Sequence, residues 1–193
     1  MASLRVLLGE IRNCRVCESE LPLGPRPILT AHSKARILII GQAPGSRVHE
    51  SGVPWADASG KRLRSWMGIT EDEFYDETTV ALVPMGFCYP GTGKGGDLPP
   101  RRECAELWHD ELIKKLKNVN LTLVIGQYAQ KYWLKTRAKP TLTETIEAWQ
   151  EYTPDSIPLP HPSPRNNRWL KRNPWFEKTV VPALRGLVGK AKS

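Results

Sequence analysis

Residues 35–45 read ARILIIGQAPG. The run from Ala35 to Ile40 is a strand-length apolar segment that passes straight into a turn, Gly41 to Gly45. Its uninterrupted apolar part, Ile37 to Ile40, suits a strand covered on both faces. The pattern recurs: Thr78 to Val83 ends at Pro84, Leu121 to Ile125 meets Gly126-Gln127, and a short run at Ile157 to Leu159 stops just before His161. Helical patterns lie between these runs. They cover Leu4 to Arg12, Ser59 to Met67 with Ser59 as N-cap, Pro100 to Leu116, Gly126 to Leu134 and Thr143 to Gln150. A last helix starts at Asn173-Pro174, with a kink expected at Pro182. Residues 18–34 and 86–100 read as Pro- and Gly-rich loops. Strand, loop and helix in repetition predict an α/β fold: one central, mostly parallel four-stranded sheet flanked by helices on both faces.

Ligands of such sheets bind beyond the carboxyl ends of the strands. Those ends carry GQAPG, then the loop Met85 to Cys88, then Gly126-Gln127, then HPSPRN at 161–166. Four loops of unusual composition therefore converge on one sheet edge, and a site is expected there.

The chain has 193 residues, enough for one domain, expected to span 1–193. Hydrophobic residues at 40% and charged residues at 25% exclude a mostly disordered chain. No apolar run approaches the roughly 18 residues of a membrane span. The start, MASLRVLLGEIRNC, has too short an apolar stretch and no small-residue cleavage site for a signal peptide, so a cytoplasmic location is expected. Lys plus Arg number 28 against 20 Asp plus Glu, a net charge of +8. That balance favours a polyanionic partner, with a solvated basic surface as the alternative. Some of the seven Trp must be core, but Trp near basic loops can also stack on bases. Cys14 and Cys17 form a C-x2-C pair, and fifteen residues separate Cys88 from Cys104. Four thiolates suit a [4Fe–4S] cluster or a tetrahedral zinc; the alternative is four reduced, unrelated cysteines.

GQAPG after its strand, SGVPWADASGKRL, and HPSPRN near the end occur in the order found in the uracil-DNA glycosylase superfamily, which the chain resembles over roughly residues 10–188. The cysteine pattern is similar to that of families 4 and 5, which hold a [4Fe–4S] cluster. GQAPG resembles the family 4 motif with Gln42 in place of Glu. VHESG and WADASG resemble the family 5 segment that places His49 and Asp57 at active-site positions. HPSPRN resembles the single-strand-selective monofunctional glycosylases. The chain also departs from the pattern. The family 4 Asn that reads the uracil edge falls on Pro84. The Tyr that blocks thymine in the prototype enzymes falls on Gly45, and the Asp of their first motif is missing. A roomier pocket and a different water-activating residue follow.

The resemblance implies a monofunctional glycosylase that flips a uracil, or another deaminated base such as hypoxanthine or xanthine, and hydrolyses its N-glycosidic bond. Trp55 would be the flat wall of the pocket, unless it is a core Trp. Backbone N–H groups of Gly41, Gln42 and Ala43 would bind the base. His161, framed by Pro160 and Pro162, would donate to a base carbonyl, where negative charge develops. Asp57 would orient the water and offset the sugar cation, with Glu50 as the weaker alternative. His49 would orient the water or bind phosphate. Ser163, Arg165 and Asn166 would hold DNA, with Arg165 entering the gap left by the flipped nucleotide. Arg168, Lys171 and Arg172 would add backbone attraction, with Lys61, Arg62, Arg64 and Lys94 as further candidates. Cys14, Cys17, Cys88 and Cys104 would ligate the cluster, clamping the N-terminal helix to the loop after the second strand. The expected partner is DNA containing uracil or another deaminated base, met by a monomer with no membrane involved. Two competing readings are a member of the same superfamily that binds nucleic acid without catalysis, and an iron–sulfur redox protein, for which no flavin or nucleotide motif is visible.

Overall fold

In chain order the elements are α1 (Leu4–Arg12), β1 (Ile37–Ile40), α2 (Ser46–Ser51), α3 (Ala58–Met67), α4 (Glu71–Tyr75), β2 (Val80–Leu82), β3 (Thr92–Gly93), β4 (Gly96–Asp97), α5 (Arg102–Cys104), α6 (Asp110–Lys114), β5 (Leu121–Ile125), α7 (Gly126–Leu134), α8 (Leu142–Glu147), β6 (Ser156–Leu159), α9 (Asn167–Arg172) and α10 (Val181–Lys192). They come from a computed structural model that describes residues 3–193. The expected domain limits begin on Met1 and Ala2, which lie outside the described residues.

The sheet is parallel throughout, in the order β2-β1-β5-β6. Every strand residue in it is buried, which explains why the strands read as continuous apolar runs. Alternate residues feed two cores. Leu38, Ile40, Ala81, Val83 and Val124 pack with α1, α6 and α7 through Leu8, Ile11, Leu112 and Ala129. Ile37, Ile39, Val80, Leu123 and Ile157 pack with α3, α4 and α10 through Leu63, Phe74 and Leu184. The α/β architecture with both faces covered is therefore as read. All four strands point their carboxyl ends at one edge, and the order reverses direction between β1 and β5, where a crevice forms. Among the described residues no helix is long and apolar enough to cross a membrane.

Several boundaries differ from expectation. Asp57, not Ser59, caps α3: its side chain accepts the Gly60 N–H at 2.9 Å. The helix expected from Pro100 starts at Arg102 and carries a π-helical turn, Ala105–His109, between α5 and α6. A second π turn, Phe176–Val180, precedes α10; a widened turn there accommodates Pro182, which has no N–H to give. The short helices α2, α4 and α9 and the β3–β4 hairpin were not anticipated. Each is six residues or fewer, too short to show a period.

Candidate active site

The GQAPG turn leaves β1, and α2 begins at once, at Ser46. The chain returns through Val53 and Pro54 to Trp55, which sits at φ 58, a left-handed conformation rarely adopted by an aromatic residue. Two glycines make room for it. A Cβ on Gly41 would lie 2.8 Å from the Trp55 ring, and one on Gly60 would lie 1.8 Å from the Trp55 carbonyl oxygen. The indole stacks on His161, with ring centroids 5.6 Å apart and planes 26° apart.

His161 follows β6. Its Nδ1 accepts the Ser163 N–H at 3.2 Å, which assigns the proton of the neutral ring to Nε2. Among the described residues Nε2 has no partner, and it is not sealed from open space. Burial pushes the pKa of His161 down from its ordinary 6.5, and Asp57 and Asp97 pull it partly back up. The ring is thus a neutral donor. The loop that carries it is braced by Asn166, which donates to the His161 carbonyl at 2.7 Å, and by Arg62, which donates to the carbonyls of Pro162 and Ser163.

One cavity of about 320 Å³ lies between these parts. Gly41 to Gly45, Trp55, Asp57, Pro84, Asp97, His161, Ser163 and Arg165 line it. A second cavity, beyond His161, is lined by Gln42, Ala43, Asp97, Gly126, Gln127, His161, Arg165 and Asn166. The expected convergence of strand ends is therefore present, with all four sheet strands contributing to the two cavities. Gln42 lines both and sends its Nε2 to the Leu98 carbonyl at 3.2 Å, tying the turn to the loop after β4. Pro84 lines the first cavity, and its carbonyl is taken by Nε2 of the buried His109 at 3.0 Å.

Some candidates are brought to the cavity and others are not. His49 lies on α2, is not among the residues lining either cavity, and faces Tyr89 with ring centroids 6.1 Å apart. Its carbonyl and that of Glu50 accept from Arg26. Arg168, Lys171 and Arg172 lie on one exposed face of α9, spaced three and four apart, while Trp169 and Leu170 on that helix pack toward the core. Among the described residues no ion pair engages those three cations. Arg64 pairs with Glu71 and lies over Phe74 and Tyr75, so it serves the fold. Asp97 was missed. It sits in the segment read as a loop, where the Gly95-Gly96 turn next to an acidic residue was the available signal.

The cysteines form a separate corner. Cys14 follows α1, Cys88 follows β2 and Cys104 ends α5, and all four line one small cavity with Phe87 and Arg101. All are free. Burial pushes Cys17 up, Cys88 up to about 11 and Cys104 up to about 12. The Arg101 Nε is buried beside them without a partner. Among the described residues no group of three or more His, Cys, Asp or Glu side chains is placed to hold a single metal ion.

A family profile described as the Uracil DNA glycosylase superfamily matches residues 28–185. A curated relative, the type-4 uracil-DNA glycosylase of Archaeoglobus fulgidus, is 25% identical over 137 residues. That alignment covers 68% of this chain and 64% of the relative, so the chain spans less than two thirds of that protein's length.

Proposed function

The chain belongs to the uracil DNA glycosylase superfamily, and from that premise we propose that it is a monofunctional glycosylase that releases uracil, or another deaminated base, from DNA after flipping it out of the stack. The observation that carries the reading is the cavity at the strand ends, where a neutral His161, Trp55, Asp57 and the GQAPG backbone face one space. Its volume lies at the small end of ligand pockets, which run from about 300 to 1,000 Å³, and suits a single base.

Cleavage of the N-glycosidic bond leaves negative charge on the base and positive charge on the sugar. His161 offers Nε2–H to a base carbonyl, and a neutral ring does this without repelling the sugar cation. Trp55 gives the base a flat wall. Asp57 sits against the N-terminus of α3 and counters the cation. Ser163, Arg165 and Asn166 meet the backbone at the cavity mouth, and the exposed face of α9 adds attraction. His49 lies behind the cavity, against the Tyr89 ring.

The cysteine corner fits a [4Fe–4S] cluster by its donor chemistry: four thiols on one cavity, lined also by Arg101, whose buried Nε–H has no partner. When bound, the cluster supplies a structural clamp between α1, the segment after β2 and α5. Protein purified without oxygen should contain iron and sulfide; a single zinc and no iron would decide for the alternative.

The test of function is uracil release from single- and double-stranded uracil oligonucleotides, read by alkali cleavage. The parent should release the base, and His161→Ala should be slower by about 10²–10⁴. DNA binding with no release of uracil, hypoxanthine or xanthine would favour the binding-only member of the family.

A further inference from the structure

We propose that Asp97 is a catalytic carboxylate of this site, the group that holds and activates the attacking water; this rests on the glycosylase reading above. The first motif carries Ala43 where the prototype enzymes carry an Asp, and Asp97 lines the same two cavities as Ala43. Asp97 lines both cavities that meet at His161, each time together with Gln42 and Ala43, whereas Asp57 lines only the first. Its Oδ2 comes within 3.5 Å of the point a Cβ on Gly45 would occupy. That is ordinary van der Waals distance, so the carboxylate stands against the GQAPG turn.

The carboxylate is held in position. Thr92 pairs with Asp97 across the β3–β4 ladder, and its Oγ1 donates to Asp97 Oδ1 at 3.3 Å. The Tyr89 hydroxyl lies 2.5 Å from the same Thr92 oxygen, so Tyr89 donates to Thr92 and Thr92 donates to Asp97. Gln42 binds the next carbonyl, that of Leu98, and so ties the hairpin to the GQAPG turn. Among the described residues no donor is found for Asp97 Oδ2. Asp57 likewise has one oxygen engaged, its Oδ1 accepting the Gly60 N–H, and differs in that it lines only the first cavity. Asp97 also bears electrostatically on His161, as Asp57 does.

The step balances as follows. The water oxygen forms a bond to the anomeric carbon, and the bond from that carbon to the base nitrogen breaks. The electron pair leaves with the base, held by His161 Nε2–H. The water proton passes to Asp97 and then to solvent, and the released base takes a proton from solvent. The products are the free base and an abasic sugar.

Single-turnover uracil release and binding to an abasic oligonucleotide should be measured for the parent, Asp97→Asn, Thr92→Val and Thr92→Ser. Asp97→Asn should release uracil about 10²-fold more slowly or worse, with abasic-DNA binding unchanged or tighter because a negative charge facing phosphate is gone. Thr92→Val should lose part of the rate, and Thr92→Ser, which keeps the hydroxyl, should recover it. An active parent matched in rate by Asp97→Asn overturns the assignment of Asp97 alone, as does a rate loss accompanied by an equal loss of binding. An inactive parent overturns both this assignment and the glycosylase reading.

Discussion

Asp57 and Asp97 reach the same cavity by different routes. Asp57 is delivered by a ten-residue helix: it caps α3, accepts the Gly60 N–H, and sits where the helix dipole favours an anion. Asp97 is delivered by a hairpin of two-residue strands, held by Thr92 and by the Gln42 contact to Leu98. On the helix side the site and the core are one structure, because Leu63, Trp66 and Met67 of α3 are buried in the sheet packing. On the hairpin side the strand residues are largely exposed. Damage to the first wall should therefore lower stability and activity together. Damage to the second should lower activity alone.

The sharpest contrast is between two glycines. Gly60→Ala forces a Cβ to within 1.8 Å of the Trp55 carbonyl, a collision with backbone in a packed region, and should cost about 1–3 kcal/mol. Gly96→Ala meets the flexible end of Arg165 at 1.9 Å and strains a backbone at φ +123 in an exposed hairpin, so it should displace Arg165 and lower the melting temperature less than Gly60→Ala does. Thermal melts of the two variants check this, and an equal fall in both would break the comparison.

The carboxylates themselves give a smaller difference. Asp57→Ala removes a cap and should cost about 1 kcal/mol, while Asp57→Asn keeps it, because Asn caps as well as Asp. Asp97→Ala should cost nothing measurable in denaturant unfolding. A stability loss in Asp97→Ala as large as in Asp57→Ala would show the hairpin to be part of the cooperative core.

The pH dependence sharpens the account of the shared cavity. His161 titrates below its ordinary value because burial disfavours the imidazolium. The neutral donor therefore persists as pH falls through 6.5, and the acid limb that depends on this group should lie below that value. The unfolded chain takes up the proton first, so this group favours the folded state fully above pH 6.5 and less as pH falls. An acid limb at or above 6.5 that disappears in His161→Ala would contradict the assignment.

The smallest effect concerns α9. Lys171→Ala with Arg172→Ala should weaken DNA binding without changing the single-turnover rate at saturation. Each lost phosphate contact should reduce the slope of log affinity against log salt by about 1. An unchanged slope would remove α9 from the interface.

The strands were legible because a sheet covered on both faces leaves ILII, LTLVI and the short runs before Pro84 and His161 without a charged residue. The strand-end loops followed from them, and Gly41, Trp55, Asp57 and His161 do meet. Asp97 and its support escaped because the β3–β4 ladder has two residue pairs, and no hydrophobic period can mark so short an element. Trp55 was named, but its left-handed backbone depends on the absence of a Cβ at Gly41 and Gly60, a contact between residues far apart in the pattern. The cap at Asp57 was misread as Ser59 because two N-cap residues stand two apart, and only the bond to Gly60 decides between them.

The account stands or falls on which cavity takes the base. The direct measurement is the structure of a complex with an oligonucleotide carrying a deoxyuridine analogue whose fluorinated sugar resists cleavage. The account predicts the uracil ring against Trp55, with a base carbonyl on Nε2 of His161 and a water between Asp97 Oδ2 and the anomeric carbon. A base bound away from the strand ends, or one that meets His161 through Nδ1, would contradict it.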